Sequence, residues 1–395
     1  MNLEPFDVVI VAAQRTPMGS LQGSLSSLSA TELGSHSIKA VLKACNLSGA
    51  EIDEVIMGNV LSAGLGQAPA RQAALGAKLP ESVACTTVSK VCGSGMRSVM
   101  MAVDQLRLGQ AKAIIAGGME SMSNAPYFLP KARGGYRLGH GQIVDHMFFD
   151  GLEDAYTGKA MGSFAQSTAD ARGITREAMD QYAVKSLQRA QYAINEGAFS
   201  QEITCIEIAT KHGVNIVDED EQPSRASAVK IPTLKPAFAS DGTITAANSS
   251  SISDGAAALL LTTAGYALSQ GLSPLGVVRG HSTHAQAPSE FTTAPVGAIN
   301  KLLKRLDWSI DSVDLWEINE AFAMVSMMAM GDLGLDHSKV NINGGACALG
   351  HPIGASGARI IVTLLHALHN NGLKSGVASL CIGGGEATAI GLEVV

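Results

Sequence analysis

Charge is scarce in this chain. Only 16% of its 395 residues are charged, and 28 basic residues face 35 acidic ones for a net charge of −7. No dense basic run occurs, which argues against nucleic acid as a partner. The six cysteines, at 45, 85, 92, 205, 347 and 381, form no C-x-x-C pair and no metal-ligand spacing. Scattered cysteines in a large chain read as reduced and intracellular. No segment reaches the roughly 18 uncharged apolar residues that a membrane span requires. The opening MNLEPFDVVIVAAQRTP lacks a basic region before Arg15, and the closing LEVV carries no familiar address. The expectation is a cytoplasmic protein with no leader and no membrane span.

What the chain does have is apolar residues and glycine. Hydrophobic residues make up 46%, and there are 43 glycines. At this length, two or more domains, or one duplicated domain, are expected. Apolar runs of strand length alternate with helical spacing. Phe6–Ala12 reads as a strand, followed by helical spacing at Ile38, Val41, Leu42 and Cys45. Strands are expected at Asp53–Val60, Ala84–Val88 and Ala111–Ala116, with a short helix at Ala68–Ala77. The second half repeats the order, with strands at Pro274–Gly280, Val313–Ile318, Val340–Ile342 and Gly376–Ile382, and helices near 296–306 and 321–330. Met96, Val99, Met100, Val103 and Leu106 carry the same helical offsets as Ala358, Ile361, Val362, Leu365 and Leu368.

These patterns predict an α/β fold of two similar βαβαβαβ halves, with mainly parallel sheets sandwiched by helices. Residues 1–120 with 249–271 form the N-terminal half, and 272–395 the C-terminal half. Residues 121–248 break the repeat and read as an inserted loop domain that covers the ligand; it holds a helix near Thr175–Asn195. Ala256–Leu261 returns the chain to the first sheet. Each half has its most glycine-rich turn before its last long helix. A pseudo-twofold would bring the two turns together.

The first of those turns carries Cys92, the second His351. A cysteine is most often a small buried hydrophobe. Cys92, however, sits between a strand and Gly93-Ser94-Gly95 at the start of an amphipathic helix. Such an elbow exposes nucleophiles, and a helix N-terminus lowers a thiol's pKa. His351, flanked by glycines, is either a structural hydrogen-bonder or the base that a catalytic thiol needs. Cys381 ends a strand ahead of three glycines, as a core cysteine or as a second thiol at a cleft. Asn319 follows a strand and reads as a helix N-cap, or as a holder of water or ligand. Cys347 carries the plain reading of a packing residue.

VCGSGM, EINEAFA, NINGGACALGHPIGASGARI and CIGGG resemble, in order, the signatures of the thiolase family. GGMESMSNAPY and GTITAANSSSISDGAAALLL also resemble thiolase segments, so the similarity covers essentially the whole chain. The resemblance implies a reversible acyltransferase that joins two acetyl-CoA into acetoacetyl-CoA and coenzyme A. Cys92 would become acetylated after activation by His351. Cys381 would be the general acid and base at the α-carbon. Asn319 would hold a water that forms one oxyanion hole with His351, and the backbone N–H groups of Cys92 and Gly383 would form the other. Ser250 and Arg225 would meet coenzyme A, with Met161 and Phe291 lining the acyl pocket. Thiolases often carry His-Met-Gly or His-Thr-Gly where this chain has Ala160-Met161-Gly162, a departure that bears on substrate preference.

The resemblance also implies a homo-oligomer, a dimer or tetramer, because GGYRLGHG resembles a tetramer-contact loop. It implies no cofactor beyond coenzyme A as substrate and product, and no metal. Other readings are a broader-chain 3-ketoacyl-CoA thiolase of fatty-acid degradation, a ketosynthase of the same broad fold, and a non-catalytic acyl-CoA or lipid-binding homologue. Cys381-Ile382-Gly383 argues against the ketosynthase, which typically uses histidines there. The intact Cys92, Asn319, His351 and Cys381 argue against the binding protein.

Overall fold

A computed structural model describes residues 3–45, 47–211 and 213–395. Its centre is a ten-stranded sheet. In the first half the strand order is Val8–Arg15, Ser253–Thr263, Ala113–Ser121, Glu54–Gly58 and Ala84–Val88. In the second half it is Gly276–Ala285, Glu386–Val394, Ser375–Ile382 and Leu315–Ile318. The order repeats even to a fifth position, where Val340 bridges Trp316 in parallel. The strand expected at Val340–Ile342 is reduced to that single bridge. In each half one strand, Ser253–Thr263 or Glu386–Val394, runs against all the others. The halves meet antiparallel at Val9–Val277 and Ile10–Gly276, so the two expected sheets are one.

Alternate residues on these strands enter different cores, as the period of two requires. Val8 and Ile10 face a central cluster, while Val9 and Val11 face an outer one. Leu315, Ala378 and Leu380 face the same central cluster, while Trp316 and Val377 face a third. Apolar runs such as VVIVAA are therefore continuous because both faces are buried. The result is five layers. Helix Ala30–Cys45 covers the first outer face and Ala294–Leu306 the second. Helices Ser94–Arg107 and Ile353–Asn370 fill the middle.

The two helical stripes with matching offsets, from Met96 to Leu106 and from Ala358 to Leu368, are all buried in that one central cluster. Burying each of the larger side chains, Ala358 aside, stabilises the fold by about 1.5–3 kcal/mol before entropy is counted. The helices cross at their first turns, and glycine allows it. A Cβ on Gly357 would stand 2.4 Å from the Met96 nitrogen, and one on Gly95 2.8 Å from the Ala358 nitrogen. This close crossing draws both helix N-termini to one place.

Residues between 121 and 248 supply helices Met161–Arg172 and Arg176–Asn195, the second capped by Thr175. They also supply a hairpin, Ile206–Thr210 with Gly213–Val217. Buried Arg15 ties this stretch to the first strand, with its Nε 2.5 Å from Glu202 and its Nη1 2.7 Å from Asp220. Among the described residues, no helix is long and apolar enough to cross a membrane.

Candidate active site

Cys92 and His351 each stand two residues ahead of a central helix, at Ser94 and Ile353. The tight crossing places them in one cavity of about 370 Å³. Cys381 and Gly383 line the same cavity, as do Ser250, Met161 and Phe291. The pseudo-twofold thus brings together the turns that the repeat pattern paired. Phe148, Phe238 and Ala160 come from the 121–248 stretch and line the same cavity.

The elbow at Cys92 is strained. Val91 has φ 45°, a left-handed value that is costly for a β-branched residue. Local bonds hold it there. Ser94 Oγ donates to Val91 O at 2.6 Å and accepts from Lys90 N at 2.8 Å, and Gly93 N donates to Lys90 O at 3.0 Å. Burial pushes the Cys92 thiol up to about 11, although the Gly383 backbone N–H and the residue's own N–H pull it down. The helix-start argument expected a lowered pKa. In the structure desolvation outweighs it, so the resting group at neutral pH is the thiol.

His351 is buried. Its Nδ1 lies 2.5 Å from Ser356 Oγ, and that hydroxyl donates to Pro352 O at 2.9 Å. A hydroxyl that has spent its hydrogen must accept, so Nδ1 carries the ring proton. Nε2 is then a bare lone pair, and it is buried without a partner. Burial, followed by the Arg359 charge, pushes this imidazole down to about 3. Thiol and imidazole are both neutral at pH 7, a pair suited to passing one proton as a bond forms at sulfur. Ser356 is a site residue that sequence reasoning missed; its only signal is its place one turn into the helix after His351.

Cys381 is buried, and burial, then proximity to Cys92, raises its thiol far above the ordinary range. Asn319 is buried outside the cavity lining, and neither its Oδ1 nor its Nδ2 has a hydrogen-bond partner. It is not an N-cap, because the helix begins at Ala323 with Phe322 as cap. An amide buried with both ends open is a place for water. Arg225 lies away from the cavity. Its guanidinium is mostly exposed and pairs with Glu221 at 2.5 Å. Cys347 is a packing residue beside Glu320, as read from the sequence.

Glu120 is a second buried group that the sequence reading passed over. Its carboxyl accepts from Asn59 Nδ2 at 2.7 Å, Val60 N at 3.0 Å, Leu61 N at 3.1 Å and Gly354 N at 2.9 Å. It joins the loop after the Glu54–Gly58 strand to the first turn of the His351 helix. Burial pushes it up to about 7 against those N–H groups. Among the described residues, no group of three or more His, Cys, Asp or Glu could hold a metal ion.

Residues 8–265 match the thiolase N-terminal domain, and 272–394 the thiolase C-terminal domain. The chain is 51% identical to acetyl-CoA acetyltransferase 2 of Arabidopsis thaliana, over 100% of this chain and 98% of that one. The crystal structure of Acat5 thiolase from Ascaris suum, in complex with coenzyme A, superposes with TM-score 0.93 at 42% identity, covering 98% and 100% of the two chains. The Bacillus anthracis acetyl-CoA acetyltransferase superposes with TM-score 0.96 at 40% identity, covering 98% and 99%. Two domain matches and full-length relatives, on a fold that brings two thiols and an imidazole with an unpartnered nitrogen into one cavity, establish that this chain belongs to the thiolase family and is an acyltransferase.

Proposed function

We propose that this enzyme is an acetyl-CoA C-acetyltransferase, which condenses two acetyl-CoA to acetoacetyl-CoA and coenzyme A through an acetyl-cysteine. The observation that carries the reading is one cavity lined by Cys92, His351 and Cys381, with the His351 Nε2 lone pair unpartnered. The Cys92 thiol passes its proton to Nε2 as the sulfur attacks the thioester carbonyl. Developing charge on oxygen is met by the Cys92 and Gly383 N–H groups. Coenzyme A leaves with the proton of the Cys381 thiol, which makes Cys381 a thiolate, while His351 keeps the Cys92 proton and the acetyl group stays on Cys92. A second acetyl-CoA then binds, and Cys381 takes a proton from its α-carbon. The enolate oxygen is held by His351 and a water on Asn319. The carbanion attacks acetyl-Cys92, and the Cys92 sulfur departs and takes its proton back from His351. A thioester α-carbon is a weak acid, so both a base and preorganised donors are needed.

Ser250 meets the pantetheine arm and Arg225 the nucleotide end of coenzyme A in this reading, while Met161 and Phe291 bound the acyl group. Phe322 stands edge-on to Phe238 and Phe291, with ring centroids 6.2 and 6.4 Å apart, and this aromatic wall suits a short acyl chain. Residues 1–120 with 249–271 and residues 272–395 are the two catalytic halves, and 121–248 is the coenzyme A-binding insertion. The enzyme works as a homotetramer in the cytoplasm. Exposed Leu129, Leu138 and Ile143 support an oligomer contact, and six unpaired thiols suit a reducing compartment. Thiolysis rates against acyl length test the substrate. Four-carbon acetoacetyl-CoA should be cleaved fastest; equal or faster cleavage of long ketoacyl-CoAs would make this a broad-range thiolase.

A further inference from the structure

Lys90 and Glu386 form an ion pair, although 296 positions separate them in the chain. Each stands at the base of a catalytic turn. Lys90 opens the elbow two residues before Cys92. Glu386 begins the last strand, three residues after Gly383, at the end of the Gly383-Gly384-Gly385 turn. One residue belongs to the first half and the other to the second.

The two turns touch in several places. A Cβ on Gly93 would stand 2.4 Å from Ile382 Cδ1, and one on Gly383 would stand 3.5 Å from Val91 Cγ1. Both turns are also conformationally demanding. Val91 has φ 45°, while Gly384 and Gly385 have φ 92° and 88°. The first turn is tied internally by Ser94 Oγ, and the second is tied to the end of the Gly276–Ala285 strand, where Gln286 N donates to Gly385 O at 2.8 Å. Within this contact the Lys90–Glu386 pair is the charged link between the turns. Its side chains are 22% and 35% exposed, so the pair adds little to global stability. Its placement gives it a different use.

We propose that Lys90 and Glu386 are positioning residues that clasp the two catalytic turns and set the spacing between the Cys92 and Gly383 backbone N–H groups. This rests on the reading above, in which those two groups receive the thioester oxyanion. An oxyanion hole works only if its donors are fixed before charge develops. Loosening the clasp lets the donors drift apart while the rest of the cavity, and so substrate binding, is kept.

The test uses Lys90→Met, Glu386→Gln, the double variant, and the exchanged pair Lys90→Glu with Glu386→Lys. Quenched-flow intact mass gives the rate of Cys92 acetylation and its dependence on acetyl-CoA concentration, and melting temperature checks the fold. Each single variant should slow the saturated acetylation rate about 10-fold, since small misplacements of reacting groups are costly. The half-saturating acetyl-CoA concentration should stay within about 2-fold. The double variant should be no slower than either single one, and the exchanged pair should recover part of the loss. Wild-type acetylation rates in all single variants overturn the clasp. So does a loss in Lys90→Met alone, which would mean that the lysine acts without its partner. Failure of wild type itself to acetylate at Cys92 would instead remove the function on which the clasp rests.

Discussion

Replacing Gly357 with alanine should separate the two halves of the site. The added carbon would stand 2.4 Å from the Met96 nitrogen and 2.8 Å from its Cβ, where ordinary contact begins near 3.4 Å. About 1 Å must be found, and it cannot come from a flexible side-chain tip, because the nearest atom is backbone of the facing helix. Overpacking of this kind costs about 1–3 kcal/mol, offset by about 1 kcal/mol of helix propensity. The net loss of stability is then about 0–2 kcal/mol. Activity should suffer more. The helix that must yield begins two residues after Cys92, and the one carrying Gly357 begins two after His351. A shift near 1 Å between reacting groups costs on the order of 10²-fold in rate. The assay is the rate of Cys92 acetylation at saturating acetyl-CoA, beside a denaturant melt. Gly331→Ala is the control, since a Cβ there meets nothing within 4 Å. It should leave rate and stability unchanged or slightly improved. Wild-type acetylation in Gly357→Ala would refute the claim that this crossing sets the site.

Asn319→Ala should lower turnover about 10²–10³-fold, as loss of an oxyanion donor does. It should leave the melting temperature almost unchanged, because both amide ends lack protein partners; a large drop in melting temperature with normal turnover would reverse the assignment. His351 is held neutral down to about pH 3 in the fold, whereas its ordinary pKa is 6.5. The unfolded chain therefore binds a proton below 6.5 that the folded chain refuses, and the stability this contributes above pH 6.5 is lost as pH falls toward 3. At pH 5 the loss is about 2 kcal/mol. Melts at pH 7 and pH 5 should show a smaller acid-induced drop for His351→Gln than for wild type, and equal drops would contradict the burial argument. Arg15→Met strands the buried Glu202 and Asp220 carboxylates and should cost about 3–5 kcal/mol by urea denaturation; a loss under about 1 kcal/mol would show that the cluster rearranges.

The parts of this fold that declare themselves in the sequence are those in which local pattern and tertiary role agree. The Met96–Leu106 and Ala358–Leu368 stripes mark two helices and also mark them as equivalents, because both bury the same face in the same core. Strand Ala84–Val88 begins and ends where it was expected. The final strand, Glu386–Val394, was not expected. Its small residues follow three glycines, and its pairing with Gly276–Ala285 is visible only once the halves meet. The Ile206–Thr210 hairpin was missed because both strands are largely exposed and only Ile206, Ile208 and Val217 reach the core. Cys92 and His351 stood out by their glycine-rich turns. The direction of the Cys92 pKa did not, because a helix N-terminus is a local feature and desolvation comes from chain segments far away in sequence. The hydrogen bond from His351 to Ser356 and the Lys90–Glu386 pair also required coordinates. Arg225, placed by resemblance alone, lies on the surface beside Glu221.

The central claim is that Cys92 carries the acyl group. Its most direct test is the intact mass of the protein after brief exposure to acetyl-CoA, for wild type and for Cys92→Ala. The account predicts one added acetyl group on wild type and none on the variant. An unmodified wild type that still binds acetyl-CoA, or acetylation that persists without Cys92, would contradict it.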